Sequence, residues 1–375
     1  MGFMSKACSF TRFRLVDPVP ETLFPEIGKL IQEKRFFELQ AGETSAAGWV
    51  SFEDYLSCGT DEGFDPMKGA FCVFSLRIDT LRIPNSVFKK EYDVAIAREK
   101  ATTGNKKITK YRRTELKELV KLSLYRRYVP VPGVYNVIWD TDKDEVWLAS
   151  TQSAVVLAFM DLFNATFDIH LEQLTPTALA LSILGQEREE DVMGIKPTRL
   201  TSEEEEDTDA TPNTILGQSF LTWLWWKAST TVATADNPVS FPVSINTRIV
   251  VTGGDGAEKE TVMVTSKVLS PLKEAKIGLA RGKKVSRAAV YLIADDFAYE
   301  ATIDAQNFAL SGVRPPEIEG EEKADADGLL LEKIFLIQKV VSQLDAHYRD
   351  FLTVRMDGEE WEKTAEAMSK WIMEG

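Results

Sequence analysis

Two apolar runs, VYNVIW at 134–139 and VWLAS at 146–150, stand either side of the polar DTDKDE. Strand-forming residues flanking a short polar turn describe an antiparallel hairpin, although six residues is long for the tightest turns. A hairpin commits neighbouring strands to opposite directions, and the remaining segments fit that constraint. SFTRFRLV at 9–16 alternates as a strand, AFCVFSLRI at 70–78 reads as a buried one, and 167–174 as another. YLIADDFAYEATID at 291–304 reads as a second hairpin, and strand-like runs flank GGDG at 253–256. Helical patterns fall at 20–33, 84–125 with a break at TTGNKK, 151–165, 176–185 and 214–229. A last helix at 329–352 carries Leu330, Ile334, Ile337, Val341, Leu344, Tyr348 and Phe351 at 3, 4 spacing. Helices and hairpins alternate with no regular βαβ period. The expected class is therefore α+β, with mostly antiparallel hairpins and sheets and packed helices.

Four parts are expected along the 375 residues. They are an N-terminal α+β part (1–80) and a basic helical region with the hairpin (81–175). A helical segment (176–235) follows, with an acidic flexible insertion at 187–213, then a β-rich part (236–375) ending in the long helix. Hydrophobic residues make up 44%, enough to build a core. No apolar run reaches about 18 residues, so no membrane span is expected. Neither is export, for lack of a leader pattern. Cys8, Cys58 and Cys72 are scattered and odd in number, which suits a reducing compartment and a cytoplasmic location.

Catalytic signatures are missing. The only histidines, His170 and His347, exclude a His-rich metal site. No phosphate-cradling glycine loop or nucleophile elbow occurs. GGDG reads as a turn, the run SEEEEDTD at 202–209 as a solvated loop, and Asp140, Asp142, Asp144 and Glu145 as turn carboxylates. No cofactor and no enzymatic activity are expected.

The charge distribution is uneven. The chain carries −14, yet NKKITKYRRTELKELVKLSLYRR at 105–127 holds nine Lys or Arg against two Glu. On a helix, Lys106, Lys110, Arg113, Lys117 and Lys121 share one face, with Ile108, Leu116, Leu119 and Leu122 roughly opposite. A second basic cluster is Arg281, Lys283, Lys284 and Arg287. Three readings stay open for the helix. It is a solvated face, a phosphate-backbone contact indifferent to base sequence, or a contact for an acidic protein partner, as in an adaptor.

The run at 83–130, IPNSVFKKEYDVAIAREKATTGNKKITKYRRTELKELVKLSLYRRYVP, resembles the recombination-associated protein RdgC family. So do FTRFRLV at 10–16, GWV at 48–50, Trp139–Asp140 with VWLAS, LARGKKV at 279–285 and the long terminal helix. This resemblance implies a double-stranded DNA-binding protein with little sequence preference and a ring-shaped two-fold homodimer around a positive opening. It also implies nucleoid association and antagonism of a recombinase, with a metal-dependent exonuclease of the same architecture as the alternative. It extends the expected DNA contacts to Lys89 and Lys90, and to Arg126 and Arg127, where this chain has Leu124-Tyr125 in place of the family's Leu-Pro-Arg. Lys107 and Arg112 complete the expected set.

Overall fold

The computed structural model describes residues 2–40, 42–57, 64–104, 107–204, 210–231, 242–245, 247–254, 260–266, 272–294, 297–318 and 325–374. Cys58, Lys106, most of the acidic run (205–209) and half of GGDG (255–256) lie outside the described residues. The first half contains β1 (Cys8–Leu15), α1 (Leu23–Glu33), β2 (Ser45–Val50), β3 (Met67–Lys68) and β4 (Phe71–Thr80). Then come α2 (Asn85–Thr103), α3 (Lys110–Tyr125), β5 (Val131–Asp140), β6 (Glu145–Leu148), α4 (Ser153–Phe167) and β7 (Leu171–Gln173). The second half has α5 (Pro176–Leu184), α6 (Glu189–Met193), α7 (Pro212–Thr230), β8 (Val243–Ser244), β9 (Arg248–Gly253) and β10 (Glu260–Thr265). It closes with α8 (Lys273–Ala280), β11 (Lys284–Ala294), β12 (Phe297–Asp304), β13 (Leu310–Arg314), α9 (Ala326–Arg355) and α10 (Gly358–Met373).

All paired strands are antiparallel and run in the order β10-β9-β11-β12-β13-β1-β6-β5-β4-β2. The α+β expectation with antiparallel hairpins therefore holds. The β5–β6 hairpin is the one read from the sequence, with Asp140 opposite Glu145 and Val137 opposite Leu148. Asp140 organises its turn by accepting from the backbone N–H groups of Asp142 and Lys143, both at 3.1 Å. Asp144 takes φ 51°.

The expectation of a ring-shaped two-fold dimer is corrected. The sheet does not close into a ring; it is open, ending on β10 and β2. The β2 end is covered in part, at Trp49. Trp49 on β2 donates its N–H to Lys34 O at 3.0 Å and accepts from Phe36 N–H at 2.9 Å, so residues 34–36 already occupy that edge.

Period-two alternation places Phe13, Trp49, Phe74 and Trp139 on one face, packed under α1 and α4. Phe10, Val73, Ile138 and Trp147 lie on the other, under α7, α9 and α10. Burial on both faces is why AFCVFSLRI is nearly continuous in apolar residues. A buried polar anchor also crosses that second interface. Arg12 of β1 donates from Nε to Glu145 at 2.6 Å and from Nη1 and Nη2 to Asp345 of α9, each at 2.7 Å.

Two elements exceed the expectation. The long helix extends from 326 to 355, and α10 follows it, burying Trp361, Ala365, Met368 and Ile372 at 4, 3, 4 spacing. Asp357 caps α10 by accepting from the N–H groups of Glu359 and Glu360. The acidic insertion, expected to be flexible, is ordered in part. Its described part forms α6, buries Val192 and returns along α9 and α10, with Thr198 accepting from Trp361 Nε1 at 2.8 Å.

Candidate nucleic-acid interface

β4 and β5 pair up to Thr80 opposite Val131, so residues 81–130 leave and rejoin the sheet at one point. Pro84 starts α2, and Gly104 at φ 67° ends it in a left-handed conformation that suits glycine. Thr109 then caps α3 by accepting from Arg112 N–H. The result is an antiparallel helical arm. The two helices pack on each other, and neither packs substantially on the rest of the chain.

The seam of the arm is narrow. α3 buries Leu116, Val120 and Leu124, spaced by four, while α2 buries no residue fully. Phe88 and Tyr92 of α2 stack at 6.1 Å, and Tyr92 Oη donates to Arg113 O at 3.4 Å. At the tip Arg112 clasps Glu99 with bonds of 2.7 and 3.0 Å. That bond holds the Glu99 carboxyl below its usual range.

This seam corrects the expected helix face. Leu119 and Leu122 are exposed, and Val120 and Leu124 take the packing role with Leu116. A stripe at i, i+4, i+8 was available beside the one at 116, 119, 122, and only the partner helix decides between them. The cations consequently flank the seam and do not lie opposite it. At 3.6 residues per turn, Lys110, Arg113, Lys117 and Lys121 share one flank of α3. Lys89 and Lys100 project from the side of α2 that adjoins this flank, given that Phe88, Tyr92 and Glu99 face the seam. Lys90 points away from α3. Arg126 and Arg127 are exposed where α3 ends, and Lys107 is exposed ahead of its cap.

Residues 81–130 carry fourteen Lys or Arg and five Asp or Glu, a net of +9, which leaves −23 on the other 325 residues. Among the described residues, the arm's ion pairs are Arg112 with Glu99 and Glu115, and Lys121 with Glu118. No described carboxylate pairs with Lys89, Lys90, Lys107, Lys110, Arg113, Lys117, Arg126 or Arg127. Arg82, Arg98 and Lys100 were not singled out in the sequence, although they belong to the same arm. Their signal was the charge of the whole window, which a search for one helical face passes over.

The second cluster has a different environment. α8 ends at Ala280, and Gly282 at φ 81° turns the chain into β11. Lys283 pairs with Glu260 at 2.6 Å, Lys284 with Glu204, and Arg287 with Asp304 at 2.7 Å. Glu204 belongs to the acidic insertion and is buried. Only Arg281 of the four is exposed without a described carboxylate partner. The structure does not bring the two clusters together. Following the register strand by strand, Lys284 begins β11 at the sheet edge opposite the one from which the arm leaves. Five strand-to-strand steps separate β11 from β5, about 24 Å at roughly 4.8 Å per step.

The other singled-out residues have structural partners. His170 contacts Asp17 through Nδ1 at 2.8 Å and Asn164 through Nε2 at 3.2 Å, tying the end of β1 to α4. His347 is buried on α9, and burial lowers its pKa. Asp140 accepts from Gln338 Nε2 at 2.7 Å, and Glu145 from Arg12. Among the described residues no group of three or more His, Cys, Asp or Glu is placed to hold a metal ion. No helix among them is long and apolar enough to cross a membrane. No family model and no curated protein matches the chain. The family identity, the recombination role and the nucleoid association therefore have no support beyond the residues that suggested them.

Proposed function

We propose that the protein binds duplex DNA through the α2–α3 arm, holding the phosphate backbone without reading base sequence. The observation that carries this reading is the row of cations on an arm that does not pack substantially on the rest of the chain, of which Lys110, Arg113 and Lys117 have no described carboxylate partner. If these charges served solubility alone, the −23 of the body would have no reason to stop at the arm's base. A duplex presents about one phosphate charge per 1.7 Å of its axis. The span from Lys110 to Lys121 is about 16 Å at 1.5 Å per residue. Every cation on the flank can thus meet a phosphate, releasing counterions as it does so. The side chains are long and mobile, and among the described residues of the arm none forms a rigid set of base-edge readers. Selectivity should be weak. The acidic body repels the duplex elsewhere, which confines binding to the arm.

The test is fluorescence anisotropy with labelled 30-base-pair duplexes of unrelated sequence, over a salt series. Wild type should bind all of them alike, with affinity falling steeply as salt rises. Combined substitution K110Q/R113Q/K117Q/K121Q should weaken binding on the order of 100-fold near 0.1 M salt. It should also flatten the log–log salt slope by about 0.9 per lost phosphate contact. A folded variant with wild-type affinity would exclude the arm as the interface. Absence of binding by wild type at low salt would exclude the function.

A further inference from the structure

The open face of the β9–β11–β12 region carries a second constellation of donors, unrelated to the arm. It starts from a defect in the sheet. On β11, Val285 pairs with Val251, but the next pairing is Arg287 with Val250, so Ser286 is a bulged extra residue. Val251, Val285, Ile249 and Ala288 all point into the core. Unbroken alternation from Val285 would have sent Arg287 inward with them. The bulge turns its guanidinium to the outer face, a use of bulges common beside binding sites. Ser286 Oγ secures the bulge by donating to Val250 O at 3.1 Å.

Arg287 is then oriented. Its Nε donates to Asp304 Oδ2 at 2.7 Å, and Asp304 is itself fixed by Gln306 N–H on Oδ1 at 2.9 Å. This leaves both terminal nitrogens of the Arg287 fork without a partner among the described residues. Arg248 lies two residues along β9 from Val250, on the same outer face, exposed and without a described carboxylate partner. Thr252 and Thr261 stand directly opposite each other on β9 and β10, also on this face. No described group bonds either hydroxyl. The side chains line a cleft of about 430 Å³, within the size range of small-ligand sites.

We propose that this cleft is a separate anion site in which Arg248, Arg287, Thr252 and Thr261 bind a terminal phosphate group. A carboxylate would be satisfied by one guanidinium fork. Two guanidiniums with two hydroxyls, even with Arg287 Nε held by Asp304, supply enough donors for the three terminal oxygens of a phosphate monoester. That group is supplied either by a small phosphorylated molecule or by the 5′ end of a nucleic acid. The site stands at the sheet edge opposite the arm and does not depend on the arm's binding DNA.

The experiment has two arms, both on the full chain. In the first, inorganic phosphate and glycerol phosphate are titrated against chloride at matched ionic strength, following the thermal unfolding midpoint. In the second, a 12-base-pair duplex with 5′-phosphate or 5′-hydroxyl ends is titrated into the K110Q/R113Q/K117Q/K121Q protein, so that the arm contributes little. Saturable binding in the first arm alone assigns the site to small phosphate esters. Preference for the phosphorylated duplex in the second assigns it to nucleic-acid ends. In either case R248Q should weaken binding about tenfold, the worth of a charge-assisted hydrogen bond, and T252V/T261V should weaken it less. Absence of a saturable phosphate response in both arms overturns the proposal. So does a response undiminished in R248Q, whose exposed side chain has no described carboxylate partner and can be changed without unfolding the sheet.

Discussion

The arm and the Arg281–Arg287 segment are both rich in Lys and Arg, yet they differ in what surrounds the charge. On the arm most cations have no described carboxylate within reach. Around β11, Lys283, Lys284 and Arg287 each meet an acid from a different element: Glu260 of β10, Glu204 of the acidic insertion and Asp304 of β12. Composition is alike, and neighbourhood decides the role. Lys283 and Lys284, already neutralised within the chain, contribute to cohesion and have little left for a polyanion, whereas Arg287 spends only its Nε on Asp304. A cation that is solvated on a projecting helix contributes almost nothing to folding and is available to a partner.

The comparison is sharpened by stability measurements, and the largest effect is expected in the body. Arg12→Met removes the cation that joins Glu145 to Asp345 and strands two carboxylates in a buried interface. Urea unfolding should show a loss of about 3–5 kcal/mol. The same site has a pH signature. Burial opposes the charge on Glu145, but attraction to Arg12 and bonds from Arg12 and Trp147 outweigh it, and the folded carboxyl titrates below its usual range. A carboxyl depressed on folding adds stability above its unfolded value, about pH 4.3, and loses it as pH falls through the folded value. The stability difference between wild type and Glu145→Gln should therefore shrink as pH is lowered from 6 towards 3. A constant difference would mean that Glu145 is not ionised in the fold.

A smaller effect is expected at Lys284. Lys284→Gln leaves the buried Glu204 carboxylate with the Leu200 N–H at 3.0 Å but without its cation. A cost of about 1–3 kcal/mol is expected. Lys117→Gln on the arm should stay within about 0.5 kcal/mol. Equal costs at the two positions would break the distinction between paired and free cations.

The smallest effect on stability should come from the largest change in sequence. Replacing residues 81–130 by Asn-Gly between Thr80 and Val131 joins two residues that are already paired, through a favoured two-residue turn. Shortening the closing loop favours the folded state by about 0.6 kcal/mol per halving of its length. The body should unfold within about 1 kcal/mol of wild type or slightly later, while DNA binding disappears. A body that fails to fold without the arm would show that the two are one cooperative unit.

Much of this architecture was legible in local pattern. The β5–β6 hairpin, the strand at 71–80, the helices at 153–167 and 212–230 and the terminal helix follow from periodicity, turn residues and caps. Those signals act over a few residues and leave direct traces in the chain. The concentration of positive charge at 81–130 was equally visible. The acidic insertion was legible only as acid. That Glu204 is aimed at Lys284 depends on two segments eighty residues apart. The α10 helix was missed, although Trp361, Ala365, Met368 and Ile372 carry its period and Asp357 its cap.

By itself, then, the sequence determined an antiparallel α+β chain, the position of its hairpins, and a basic helical segment set in an acidic protein. Tertiary structure alone decided that the sheet is open, because residues 34–36 take the edge beside β2. It decided which leucines of α3 face the seam, because helical periodicity permits two stripes and the partner helix selects one. It also decided which cations are spent on carboxylates and which are free. Electrostatic pairing acts through space, between residues whose separation along the chain says nothing about their separation in the fold.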